Sequence, residues 1–126
     1  MIALPDTNAI LRYLLNDVPD QYEISRELFE NIRTGTTRAL ILESVMVECV
    51  YVLGKYYKIP RNEIAEKLIG LLHYRGIVNK DAEDLINGLV MFAKQNIDIV
   101  DCLLSVKSRK ENHTLFSFNE SLKRIK

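Results

Sequence analysis

The chain has 126 residues, 48% of them hydrophobic, and its seventeen basic and seventeen acidic side chains cancel at neutral pH. That length makes one domain, able to bury a core without disulfides or a structural metal. Zero net charge excludes whole-chain attraction to phosphate, so any hold on nucleic acid rests on local patches. Cys49 and Cys102 lie far apart in apolar helical patterns and form no Cys-x-x-Cys pair, which predicts core thiols in a reducing cytoplasm. No basic-then-apolar leader opens the chain and no apolar run approaches the ~20 residues of a membrane span, so a soluble cytoplasmic protein is expected.

Residues 2–8, Ile-Ala-Leu-Pro-Asp-Thr-Asn, read as a short buried strand that stops at a carboxylate and two small polar side chains. Ligands of open parallel sheets sit beyond the carboxyl ends of the strands, so Asp6 is placed to point into such a crevice. The alternative is that Asp6, Thr7 or Asn8 caps the helix that follows. Ile10, Leu11, Leu14 and Leu15 give residues 9–15 helical spacing, with Arg12 leaving the face opposite the core. A second helix over 21–34, capped by Asp20, carries Ile24, Leu28, Phe29 and Ile32 as its apolar stripe and ends at Gly35. Residues 39–42 predict a second strand.

The helix over 45–56 is nearly all apolar, and Glu48 is the only charge between Ser44 and Gly54. This pattern predicts a buried helix, in which an unpaired carboxylate is costly, so Glu48 is expected to meet a cation or a donor. A capping box with Ser44 would need the acid where Val47 stands. A buried salt bridge to an arginine is the remaining alternative. A helix over 61–72 with Ile64, Leu68, Leu71 and Leu72 on one face is ordinary amphipathic packing, and His73 and His113 read as loop and turn residues. Residues 77–79 predict a weak third strand, and Asp81 caps a helix over 82–95 built on Leu85, Leu89, Phe92 and Ala93.

Asp98 and Asp101 then stand three apart among apolar residues, on one side of a first helical turn. Capping by Asp98, with Asp101 at the positive end of the helix dipole, is the alternative. That helix is expected to run to about residue 112, with Lys107, Arg109 and Lys110 along its later turns. Residues 114–118 alternate as a fourth strand ending at Ser117-Phe118-Asn119, followed by a basic tail of Lys123, Arg124 and Lys126.

Strands alternating with helices predict an α/β fold, a three-layer α/β/α arrangement around a central parallel sheet of about four strands. Asp6, Ser44, Glu48, Asp98, Asp101, Ser117 and Asn119 then converge on one crevice. Gathered carboxylates repel unless something positive sits between them, and an oxygen-only donor set suits Mg²⁺ or Mn²⁺. An acidic pocket holding such an ion is a recurring way to hydrolyse phosphodiesters.

The segments Asp6-Thr7-Asn8-Ala9-Ile10-Leu11-Arg12, Val47-Glu48-Cys49-Val50, Asp98-Ile99-Val100-Asp101 and Ser117-Phe118-Asn119 resemble, in order and spacing, the four signature blocks of PIN-domain nucleases, most similar to the VapC-type toxins of toxin–antitoxin pairs. The resemblance implies a PIN-like domain over 1–126, a Mg²⁺- or Mn²⁺-dependent endoribonuclease held inactive by a small antitoxin protein. It implies Asp6, Glu48 and Asp101 as the principal metal acids, Asp98 as a further acid, and Asn8, Ser44 and Ser117 as supporting polar groups. Two residues depart from the family's pattern. Asn119 stands where the last block has an aspartate, leaving a neutral oxygen for metal, and Pro5 directly precedes the first acid, where it cannot donate within a strand.

On this reading Arg12, Lys107, Arg109 and Lys110 contact RNA phosphates, with a solvated helix face as the alternative for each. Lys55, Lys58 and Arg61 form a second basic cluster flanking the groove. Tyr13, Tyr51 and Tyr56 either stack on bases or pack in the core. A homodimer face is expected around Tyr22, Leu28 and residues 51–57. The competing function is a PIN-like module without turnover that binds a protein or RNA partner, and Asn119 is the residue that favours it.

Overall fold

β1 (Ile2–Ala3) lies parallel to β2 (Arg38–Ala39), pairing Ile2 with Arg38 and Ala3 with Ala39. This is a computed structural model, and it describes residues 1–123. Ala39 also bridges Ile77 in parallel, its N–H donating to Gly76 O at 2.8 Å while Val78 N–H donates to Ala39 O at 2.9 Å. Past that point a side chain takes over the ladder: Asn79 Oδ1 accepts the Ile41 N–H at 2.9 Å and its Nδ2 donates to Ile41 O at 2.7 Å. A buried backbone needs its polar groups paired, and Asn79 supplies both partners where regular strand pairing has ended.

The expected parallel sheet is therefore present, but among the described residues it has two short strands and one bridged residue instead of about four strands. Residues 114–118 form no strand. Their alternation puts Phe116 and Phe118 on one side, where the rings meet each other edge to face at 5.7 Å and stay 85% and 90% exposed.

Helices make up most of the molecule. α1 (Thr7–Leu15) buries Ile10 and Leu11 and ends at Asn16 in the left-handed region. α2 (Pro19–Thr34) starts two residues earlier than expected, because proline's fixed φ suits a first helical position, and stops at Gly35 with φ 87°. Its buried side is Ser25, Phe29 and Ile32, a stripe that leaves Ile24 one position off and 75% exposed.

α3 (Glu43–Tyr51) buries Met46, Cys49 and Val50 and runs on into a π-helical stretch, Val52–Tyr56, that buries Leu53. α4 (Arg61–Leu72), α5 (Ala82–Lys94) and α6 (Ile99–Ser108) follow, with α5 packed against both of its chain neighbours. α6 ends short of the expected residue 112. A four-residue turn of helix, α7 (Glu120–Lys123), comes last, and Arg124 and Lys126 of the basic tail lie outside the described residues.

One hydrophobic core joins the helices, with Ile10, Phe29, Ile32, Leu53, Leu85, Leu89 and Ile99 wholly buried. Each such side chain contributes ~1.5–3 kcal/mol by leaving water. Among the described residues, no helix is long and apolar enough to cross a membrane.

Candidate active site

Asp6 stands three residues beyond β1 and has extended backbone angles, φ −88° and ψ 176°. Its Oδ1 accepts the Ala9 N–H at 2.8 Å, so it does cap α1. Capping uses one carboxylate oxygen and does not bury the group, for Asp6 remains exposed.

Glu48 is exposed as well, which corrects the expectation of a buried carboxylate. The physical reason is the phase of α3. Its core side is Met46, Cys49 and Val50, whereas Val45 and Glu48, one turn apart, look the other way, and Val45 is only half-buried. Both line a hollow of about 420 Å³ together with Asp6, Thr7, Asn8 and Leu11 of α1. Two acids from separate parts of the chain thus share one opening. Their charges also reach the wholly buried Cys49, whose thiol is pushed up to about 12 by burial first, then by Glu48 and Asp6.

The second pair sits at the start of α6. Asp98 caps that helix, its Oδ2 accepting the Val100 N–H at 3.3 Å and the Tyr51 hydroxyl at 2.8 Å. Asp101 is half-buried one turn on. Burial, the bond to Asp98 and the charges of Asp98 and Asp101 push the Tyr51 phenol up to about 12. Since Tyr51 is three residues past Glu48 on α3, it links the helix of the first pair to the carboxylates of the second. Under α6, the buried Cys102 thiol is pushed up to about 11 by burial, with Arg61 acting against that shift and Asp101 and Asp98 adding to it.

The four acids therefore stand as two pairs. Among the described residues no three histidine, cysteine, aspartate or glutamate side chains are close enough together to enclose a metal ion. Asn8 lines the hollow of Asp6 and Glu48, whereas Ser44 is exposed outside it. Ser117 Oγ accepts the Asn119 N–H at 2.9 Å, and Asn119 Oδ1 accepts the N–H groups of Ser121 and Leu122 at 2.9 and 3.2 Å. Asn119 is thus engaged as a helix cap.

Of the expected phosphate contacts, Arg12 and Lys107 are half-buried and Arg109 and Lys110 are exposed. Arg12, with 12% of its side chain exposed, meets Asp17 at 3.0 Å and the Tyr57 hydroxyl at 3.0 Å. Lys107 pairs with Glu43, which raises the lysine's pKa, and Lys110 meets Asp84 at 2.7 Å. Arg109 has no acidic partner among the described residues and bonds Ser105 Oγ at 3.2 Å. It lines the broad hollow between α5 and α6 along with Lys80 and Lys94.

Arg61, expected in a basic cluster at the groove, instead turns inward. Its guanidinium lies 3.6 Å from the Phe92 ring centre and donates to the carbonyls of Phe92, Gln95 and Ile97. The sequence offered Tyr51 as a base-stacking or core tyrosine and Arg61 as part of a basic cluster at the groove, whereas the structure sets both against the loop of Asp98. Tyr51's place a turn beyond Glu48 was the one signal of that.

The PIN-domain family model matches residues 3–126, and the chain belongs to that family. It is 27% identical over 124 residues to a VapC ribonuclease from Aquifex aeolicus (strain VF5), covering 97% of this chain and 90% of that protein. No solved structure matches it.

Proposed function

We propose that this protein is a Mg²⁺- or Mn²⁺-dependent endoribonuclease that hydrolyses RNA phosphodiester bonds, and the cytoplasmic toxin of a toxin–antitoxin pair. The observation that carries the reading is the shared hollow of Asp6 and Glu48, in a PIN-family chain similar along nearly its whole length to a VapC ribonuclease. An all-oxygen donor set with no histidine fits a hard divalent ion. When bound, such an ion offsets phosphate charge and acidifies a water molecule.

The chain's own residues then divide the work. Asp6 and Glu48 in their shared hollow, with Asp101 as the third acid, would hold the ion, and Asp98 would orient a water through the oxygen that neither Tyr51 nor Val100 occupies. Asn8 supports Asp6 from the same hollow, with Ser44 and Ser117 as outer polar groups. Asn119 contributes a neutral oxygen only by giving up its cap on α7. Arg109, with no ion pair among the described residues, is the best placed of Arg12, Lys107, Arg109 and Lys110 to meet RNA phosphate.

An antitoxin protein is the expected protein partner, and the exposed Leu104, Phe116 and Phe118 offer apolar surface for one. Of the expected homodimer face, Tyr56 is 77% exposed while Tyr22 and Leu28 are half-buried. Light scattering that shows only monomer over a wide concentration range would remove the dimer.

The separation of the acids into two pairs favours a second reading, a PIN module that binds a partner without turnover. Cleavage of mixed RNA by wild type and Asp101→Asn, with Mn²⁺, Mg²⁺ or chelator, separates the two. Metal-dependent cleavage lost in the variant supports the nuclease. Equal cleavage by both, or none by either while calorimetry still shows metal binding, supports the binding module.

A further inference from the structure

The loop that delivers Asp98 is gripped from two sides. From α4, the Arg61 guanidinium stacks on Phe92 and directs its N–H groups at three carbonyls, those of Phe92, Gln95 and Ile97. A planar fork can stack and donate in several directions at once, whereas a lysine ammonium cannot. The same cation sits at the C-terminal end of α5, where the helix dipole favours positive charge. From α3, Tyr51 donates to Asp98 Oδ2 at 2.8 Å, and the Lys55 ammonium lies 5.3 Å from the centre of the Tyr51 ring.

These contacts hold the acids without neutralising them. Arg61 is near enough for its charge to act on Cys102, yet its hydrogen bonds go to carbonyl oxygens, and among the described residues neither Asp98 nor Asp101 has an ion-pair partner. Asp98 Oδ2 takes both the Tyr51 and the Val100 bonds, so the carboxylate plane is fixed while no partner is found for Oδ1 among the described residues. An acid that must stay ionised and aimed at a reaction centre needs this kind of support.

We propose that Tyr51 and Arg61 are positioning residues for the Asp98–Asp101 turn, Arg61 fixing the backbone of the loop before α6 and Tyr51 fixing the Asp98 carboxylate. The inference rests on the endoribonuclease reading for what the turn is used for, but not for whether it is held.

The test combines kinetics with a metal-free measurement. Tyr51→Phe removes one hydroxyl from a half-exposed ring and keeps the ring's packing, so its melting temperature should match wild type. Its kcat should fall about tenfold or more with KM for RNA unchanged. In an Asp98→Asn background the same change should have no further effect on kcat, because the hydroxyl acts through that carboxylate. In the metal-free protein, Arg61→Lys should speed hydrogen exchange at the amides of residues 100–103 about tenfold relative to those of α4, and calorimetry should show weaker Mn²⁺ binding.

Wild-type kcat in Tyr51→Phe, or multiplicative effects in the double variant, would overturn the role of Tyr51. Unchanged exchange in Arg61→Lys would overturn that of Arg61. If wild type cuts no RNA in the presence of metal, the endoribonuclease reading falls by itself, and the exchange rates still decide whether the turn is held.

Discussion

Asp6 and Glu48 line one hollow from different helices, one as the cap of α1 and the other from the side of α3 that faces away from the core. Asparagine caps a helix about as well as aspartate, so charge and cap can be separated at Asp6. Asp6→Asn should leave the melting temperature unchanged while lowering RNA cleavage by about 100-fold or more. Asp6→Ala should lose the same activity and, in addition, ~1 kcal/mol of stability from the missing cap. Thermal melts beside cleavage rates check both.

Glu48 is exposed, so its removal leaves no orphaned buried charge. Glu48→Gln should change stability by no more than ~0.5 kcal/mol, the range of ordinary surface substitutions, while cleavage collapses. A large loss in urea unfolding would show that Glu48 serves the fold.

Glu30 joins α2 to the core-side tyrosines: its Oε2 accepts the Tyr13 hydroxyl at 3.1 Å, and Arg33 meets Oε1 at 3.0 Å. The bond from Arg33, then that from Tyr13, holds this carboxyl below its ordinary value of 4.5. A depressed acid stabilises the fold at pH above its unfolded value, and that contribution disappears as pH falls through the lower folded value. Melting temperatures of wild type and Glu30→Gln should therefore differ at neutral pH and converge in strong acid. A constant gap across the range would show that the ionised form of Glu30 contributes nothing.

Two glycines test the packing. A Cβ on Gly76 would lie 2.1 Å from Thr37 O and 2.8 Å from Ile32 O, both backbone atoms that cannot move aside without breaking the bonds around the sheet. A Cβ on Gly88 would meet Leu103 Cδ2 at 2.6 Å, the end of a flexible side chain. Gly88→Ala should cost ~1–3 kcal/mol and Gly76→Ala more than that, measured by urea unfolding.

The helices were the legible part of the fold, because apolar spacing reports a buried face directly, as in Leu85, Leu89 and Phe92 of α5. The first three strands were legible in place but not in extent: those expected near residues 2–8, 39–42 and 77–79 appear as β1, β2 and a bridge at Ile77, since elements of two residues carry almost no periodicity. Residues 114–118 have strand-like alternation, but pairing depends on a neighbour that no local pattern reveals. Glu48 misled for a related reason: valines beside it suggested burial on all sides, and only the packed helix shows that this face borders an opening. The acids themselves were legible as unusual charges in apolar surroundings. Arg61 was read as part of a basic cluster at the groove, because a cation that stacks on Phe92 and feeds carbonyls looks in sequence like any surface arginine.

The proposed chemistry requires the two acid pairs to act on one ion. Calorimetric titration of metal-free protein with Mn²⁺ tests this most directly, comparing wild type with Asp6→Asn, Glu48→Gln and Asp101→Asn. Wild type should bind Mn²⁺, and binding should be lost or weakened at least tenfold in all three variants. Binding that survives Asp101→Asn at wild-type strength, or no binding by wild type, would contradict a shared ion.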